Sequence, residues 1–168
     1  MEVAILNPLI YDGNRQYKYY ASLYLKIFIL KFAKFIYNQY SMKIKSSKIL
    51  VKEALEQIKT ITPSEALKKT ENGDCNLIDI RDVRELQKEG KIDNSYHIPR
   101  GMLEFWLDPE SAYFKDGKLD IKKPMVLFCA GGLRSALATK TLKDMGFQDV
   151  CHIDGGFASM KKSGFNIN

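Results

Sequence analysis

From residue 50 onward, apolar positions switch between a helical and a strand period. Val51, Ala54, Leu55 and Ile58 recur at helical spacing and predict a helix over 51–59, with Ile61 on a short strand after it. Thr62-Pro63-Ser64-Glu65 reads as a helix start: Thr62 to cap, Pro63 at the first helical position, Glu65 to complete a capping box. That helix should end near Gly73. NLIDI over 76–80 is a short apolar strand. Asp82-Val83-Arg84-Glu85 repeats the cap signature and opens a helix that ends at Gly90. Tyr96–Ile98 predicts a strand stopped by Pro99, and Leu103–Leu107 a brief helix, followed by a loop through Gly117. After Pro124, MVLF is a continuous apolar run of the kind buried on both faces of a sheet. Ser135–Met145 predicts a helix with Ala138, Leu142 and Met145 on one side and Gly146 at its end. Val150–Ile153 is the next strand, and a last helix follows Gly155-Gly156. Strands alternating with helices predict an α/β fold: a central parallel sheet of about five strands with helices on both faces.

The N-terminal quarter has no such order. Residues 19–40 read YYASLYLKIFILKFAKFIYNQY. On a helix, Leu25, Phe28, Ile29, Phe32 and Ile36 share one face, with Lys31, Lys34 and Asn38 opposite and Ile27 and Leu30 spoiling the polar side. The lysines oppose a transmembrane span, each costing roughly 2.5–3.5 kcal/mol at a helix centre. Three readings stay open: an interfacial helix making peripheral contact with an anionic membrane, a targeting peptide, and an extension outside the native domain, for which Met42 offers an alternative start. Scarce arginine and many tyrosines argue against the targeting peptide. The expected division is a basic, aromatic-rich extension over 1–48 and one domain over 49–168.

Charge sharpens that division. The net charge of +6 is unevenly placed: residues 13–52 hold nine basic residues and no acid, whereas the other 17 basic residues face 20 acids. The remainder is therefore slightly acidic, and no nucleic-acid partner is expected for the domain. Cys75, Cys129 and Cys151 are odd in number and widely spaced. There is no Cys-x-x-Cys pair, and His97 and His152 are not at metal-ligand spacing. No disulfide framework, metal or organic cofactor is expected, and a reducing, cytoplasmic setting and a monomer are.

The chemistry concentrates in VLFCAGGLRSALATKTLKDMG, residues 126–146. A buried strand delivers Cys129 at its C-terminal end, where open parallel sheets place their ligand sites. Gly131 and Gly132 let the backbone turn tightly, so that successive N–H groups form a concave anion nest. The helix starting near Ser135 adds the positive end of its dipole, and Arg134 a permanent charge. A cysteine so placed is expected to be a nucleophilic thiolate. Most cysteines ending a core strand are inert; the glycines, Arg134 and helix start in one run set Cys129 apart. Cys151, in an apolar strand, reads as packing, and Cys75 carries no assigned role.

Cysteine, four residues, Arg-Ser and an alanine-rich helix resembles the active-site loop of rhodanese domains. LIDIRDVREL (77–86), HIPRG (97–101) and HIDGGFASMKKSG (152–164) resemble further segments of that family in the same order, and MLEFWLDPES (102–111) an element of a bacterial single-domain subgroup. The resemblance covers roughly 58–165. It implies a sulfurtransferase in which Cys129 carries the transferred sulfur as a persulfide and Arg134 assists. Ala130, Gly131, Gly132, Leu133 and Ser135 would bind substrate, and Asp79 and Arg81 would brace the loop from the neighbouring strand end. An ion pair and helix cap is the equal alternative for Arg81 and Glu85, and His97 reads as structural. The implied partners are a small sulfane donor, such as thiosulfate, and a thiol or protein acceptor. Asn94-Ser95 replaces the usual Gly-Ala, but Asn tolerates the left-handed region. Ala130 and Leu133 stand where some members carry basic side chains, which weakens the case for thiosulfate. Two alternatives remain. A cysteine phosphatase or arsenate reductase of the same fold would have five residues between Cys and Arg, in a wider ring. A binding module or sulfur carrier would have no turnover.

Overall fold

The computed structural model describes residues 15–40, 44–115, 117 and 119–168. Met42 lies outside them. The chain forms two units, residues 1–44 and 45–168.

In the first unit, Arg15–Tyr40 is one helix, α1. Phe28 and Phe32, one turn apart, stack at 6.2 Å. Among the described residues, no helix is long and apolar enough to cross a membrane.

The second unit starts with α2 (Ser47–Leu55), which begins earlier than periodicity predicts. The Ser46 side chain accepts the Ile49 N–H and caps it. The helix also stops short of 59, because Lys59–Ile61 pairs with the sheet as β1. Then come α3 (Pro63–Glu71), β2 (Asn76–Asp79), α4 (Val83–Glu89) and β3 (Tyr96–His97). Both expected capping boxes form, Thr62 with Glu65 and Asp82 with Glu85. A 3-10 turn at Arg100–Met102 leads into α5 (Leu103–Leu107), followed by β4 (Met125–Phe128), α6 (Leu133–Asp144), β5 (Val150–Ile153) and α7 (Gly156–Met160).

The five strands are parallel in the order β1-β5-β4-β2-β3. β4, at the centre, is buried at all four positions. Alternation sends Leu77, Val126, Phe128 and Ile153 into one core with Ala66 of α3 and Phe157 and Met160 of α7. Ile78, Met125 and Leu127 enter the other core, with Leu103 and Leu107 of α5 and Ala138 and Leu142 of α6. Cys129 continues β4 on that second side. The expected α/β sheet with helices on both faces is therefore present. Two local expectations differ. Helix α6 starts two residues early, since Gly132, at φ 89°, already turns the chain and its carbonyl accepts the Ala136 N–H. Met145, the C-cap, is exposed instead of sharing the face of Ala138 and Leu142. Asn94 does take the left-handed region, at φ 59°.

Candidate active site

Cys129 leaves the C-terminal end of β4 with 1% of its surface exposed. The Ser135 N–H donates to Sγ at 3.4 Å. The N–H groups of Ala130 through Arg134 find no acceptor among the described residues. Those of Gly132, Leu133 and Arg134 sit at the start of α6, where the helix leaves its first donors unpaired. The loop that follows Cys129 therefore offers a set of uncommitted donors.

What holds the loop comes from outside it. The first turn of α7 donates two backbone hydrogen bonds, Phe157 N–H to the Cys129 carbonyl at 2.7 Å and Ala158 N–H to the Ala130 carbonyl at 3.0 Å. Gly156 makes this approach possible. A Cβ there would lie 2.2 Å from the Cys129 carbonyl oxygen and 2.8 Å from the Gly132 nitrogen. Phe157 in turn rests on Arg81, whose guanidinium lies 3.7 Å from the ring centroid. Arg81 and Asp79 are both fully buried and joined through Nε and Nη2 at 2.7–3.0 Å. Arg81 Nη2 also donates to the Gly90 carbonyl. Asp79 and Arg81 thus reach the loop through Phe157.

Arg134 is held differently from a free substrate donor. Its Nη1 and Nη2 both donate to the Glu85 carboxylate at 2.7 Å. Glu85 Oε2 also accepts the Asp82 N–H, so one carboxylate caps α4 and anchors the loop arginine. The Glu85 hydrogen bonds, with a smaller contribution from the nearby Cys129 sulfur, hold the guanidinium above its ordinary range against the opposing effect of burial. The Arg134 hydrogen bonds lower the Glu85 carboxyl from its ordinary value, burial opposes them, and the Asp82 N–H adds to the lowering. A carboxyl lowered on folding adds stability that is present above its unfolded pKa and lost as pH falls through the folded one. Glu85→Gln should therefore lose less stability than the parent chain between about pH 5 and pH 3, read as urea midpoints.

The other expected residues are placed as follows. Ser135 is buried, with its hydroxyl donating to the Gly132 carbonyl at 3.0 Å. Leu133 points outward, 64% exposed, beside a largely apolar groove of about 420 Å³ lined by Ser47, Lys48, Val51, Leu133, Arg134 and Leu137. His97 Nε2 meets the Arg81 carbonyl at 2.8 Å, a brace at the far end of the same support. Burial pushes the Cys75 thiol up, and the Cys151 thiol up to about 11. Reading the sequence by itself missed Gly156 and gave Glu85 no part in the loop. The Gly-Gly after β5 and the spacing of Glu85 from Asp79 were the available signals.

The sequence model of the rhodanese-like domain matches residues 62–163, from the Thr62 cap to just past α7. The chain belongs to the rhodanese-like domain family. It is similar to the thiosulfate sulfurtransferase GlpE of Pseudomonas savastanoi pv. phaseolicola, 35% identical over 103 residues, covering 61% of this chain and 87% of the relative. It is also similar to the tRNA uridine(34) hydroxylase of Ehrlichia ruminantium, 32% identical over 137 residues and 76% of this chain. The chain spans about half the length of that relative, 48%. Among solved structures, the rhodanese-like fold matches the polysulfide-sulfur transferase of Wolinella succinogenes at TM-score 0.59 and 37% identity, over 72% of this chain and 85% of that one. A Rhodopseudomonas palustris protein of unknown function, described as a "possible tyrosine phosphatase", matches at TM-score 0.69 and 44% identity, over 76% of this chain and 98% of that one.

Proposed function

We propose that this chain is a sulfurtransferase that carries sulfane sulfur as a persulfide on Cys129. The observation that carries the reading is the four-residue loop of Ala130 to Leu133 between Cys129 and Arg134, with Ser135 N–H on the sulfur and Arg134 anchored by Glu85. The Cys129 thiolate attacks the outer sulfur of a donor such as thiosulfate. The donor's S–S bond breaks and sulfite leaves with the electron pair. The resulting persulfide extends the reactive atom from the buried Cys129 sulfur by one S–S bond of about 2 Å. Its charge meets the loop's uncommitted N–H groups. An acceptor thiolate, or cyanide, then takes the outer sulfur and regenerates the Cys129 thiolate, a two-step covalent cycle. The likeness to a thiosulfate sulfurtransferase and a polysulfide-sulfur transferase supports this reading.

A phosphatase is the second reading, favoured by the likeness to the Rhodopseudomonas palustris protein. Against it stands the ring itself: four residues between Cys129 and Arg134 suit a single sulfur atom better than a phosphate. The hydroxylase reaction belongs to a relative of about twice the matched length and is not carried over. Intact-mass measurement after incubation with thiosulfate or polysulfide separates the first two. The expected result is a reducible gain of one sulfur atom in the native chain and none in Cys129→Ser. Release of phosphate from an aryl phosphate, with no sulfur gained from either donor, would reject the proposal.

A further inference from the structure

His152 is 2% exposed on β5, paired in register with Thr60 of β1 and Leu127 of β4. Its two ring nitrogens connect β1 to the Cys129 loop. Nε2 lies 3.0 Å from Thr60 Oγ1, and Nδ1 lies 3.4 Å from Ser135 Oγ. Counting hydrogens gives this chain a direction. The Ser135 hydroxyl has a single hydrogen, which the Gly132 carbonyl accepts at 3.0 Å. The contact with Nδ1 is therefore bonding only when Nδ1 carries the hydrogen. In a neutral ring Nε2 then accepts, and the Thr60 hydroxyl donates to it. Burial supports the neutral ring by lowering the His152 pKa from its ordinary value, with Asp154 opposing.

Ser135 is the residue whose N–H reaches Cys129 Sγ at 3.4 Å. Its hydroxyl ties the loop's last glycine to the first turn of α6. We infer that His152 is a positioning residue for the Cys129 loop: donating from Nδ1, it holds Ser135 so that the Ser135 N–H stays aimed at the sulfur. The inference deepens the sulfurtransferase reading, since the sulfur being served is the one proposed to carry the persulfide. It needs no contact between His152 and substrate.

Two amides divide the imidazole's roles. Asn places a donor near the position of Nδ1, and Gln places one near Nε2. The test measures the rate of Cys129 alkylation by iodoacetamide at one pH, followed on the Cys129 peptide so that Cys75 and Cys151 do not count. Sulfur transfer from thiosulfate to cyanide is measured alongside. In His152→Gln both rates should fall about 5–10-fold, the effect of one lost hydrogen bond. His152→Asn should stay within about twofold of the parent chain, although it leaves Thr60 without its partner. In a Ser135→Ala background, His152→Gln should change neither rate further, because its effect runs through Ser135. Should the Gln variant fail to fold, His152→Ala replaces it as the donor-free member of the comparison. Equal losses in Asn and Gln, or a His152→Gln loss that persists after Ser135→Ala, would overturn the inference. Alkylation needs no sulfur donor. A chain that gains no sulfur would thus count against the sulfurtransferase reading and leave the role of His152 readable.

Discussion

Gly156→Ala is expected to lower sulfur transfer at least about 100-fold and stability by about 3 kcal/mol. Two effects add. Gly156 has φ 54°, a left-handed conformation that costs an alanine about 1–2 kcal/mol. Its Cβ would also stand 2.2 Å from the Cys129 carbonyl oxygen, 2.8 Å from the Gly132 nitrogen and 3.1 Å from the Ala130 carbonyl oxygen. All three are backbone atoms of the turn that carries the nucleophile, so no side chain can swing away to relieve the contact. Either α7 backs off and loses its hydrogen bonds to Cys129 and Ala130, or the turn deforms and Sγ moves. A displacement of about 1 Å at a reacting atom is enough for a 100-fold loss. Gly73→Ala is the control. It has φ 71° with open space around the new Cβ, so it should cost stability alone. Rates for the two variants, with urea midpoints, separate the clash from the backbone strain. Equal rates in both would mean that α7 does not brace the loop.

Asp79→Ala is expected to destabilise the domain by about 3–5 kcal/mol, the largest loss of stability from a single side chain in the support. Arg81 is fully buried, and among the described residues Asp79 is its only carboxylate partner, through three side-chain hydrogen bonds. Removing the carboxylate leaves a guanidinium in the interior with the Gly90 carbonyl and the Phe157 face for company, and with Nη1 already lacking a partner among the described residues. Against a typical total of about 5–15 kcal/mol, such a loss leaves a measurable unfolded fraction at 37 °C. Replacing both members, Asp79→Leu with Arg81→Met, should recover most of the stability, since a buried pair exchanged for apolar groups is often neutral. That recovery should not extend fully to sulfur transfer, because Arg81 also positions Phe157 and, through it, the Cys129 carbonyl. Urea denaturation of the single and double variants measures the first claim, and the transfer rate the second. A single-variant loss below about 1 kcal/mol would show that the pair is not a buried charge that needs its partner.

The Gly156 prediction turns on contacts between segments far apart in the chain, and this explains what could be read in advance. The capping boxes at Thr62 and Asp82 were legible because a cap and its partner lie within one turn. The span of β5 and the short α5 matched expectation for a similar reason: burial pattern and turn residues are local. The start of α2 was missed because Ser46 lies in a polar, basic run that looks like linker, and the end was overrun because Ile58 continues the helical spacing into a segment claimed by the sheet. Met145 was assigned to a buried face by periodicity alone, yet it caps the helix where the chain turns away at Gly146.

The candidate site divides in the same way. The order of residues by itself determined the parallel α/β arrangement, the position of Cys129 at the end of a buried strand, and the run of glycines, Arg134 and Ser135 that opens a helix. These follow from hydrophobic period and backbone chemistry within about ten residues. Only the tertiary structure decided what each polar group serves. Arg134 lies 49 positions from Glu85, Ser135 17 from His152, and His152 92 from Thr60. A hydrogen bond depends on distances of a few tenths of an ångström, which no one-dimensional pattern encodes. Gly156 shows this most directly: in the sequence it is one of two glycines before a helix, and in the folded chain a Cβ there would strike backbone atoms of Cys129, Ala130 and Gly132.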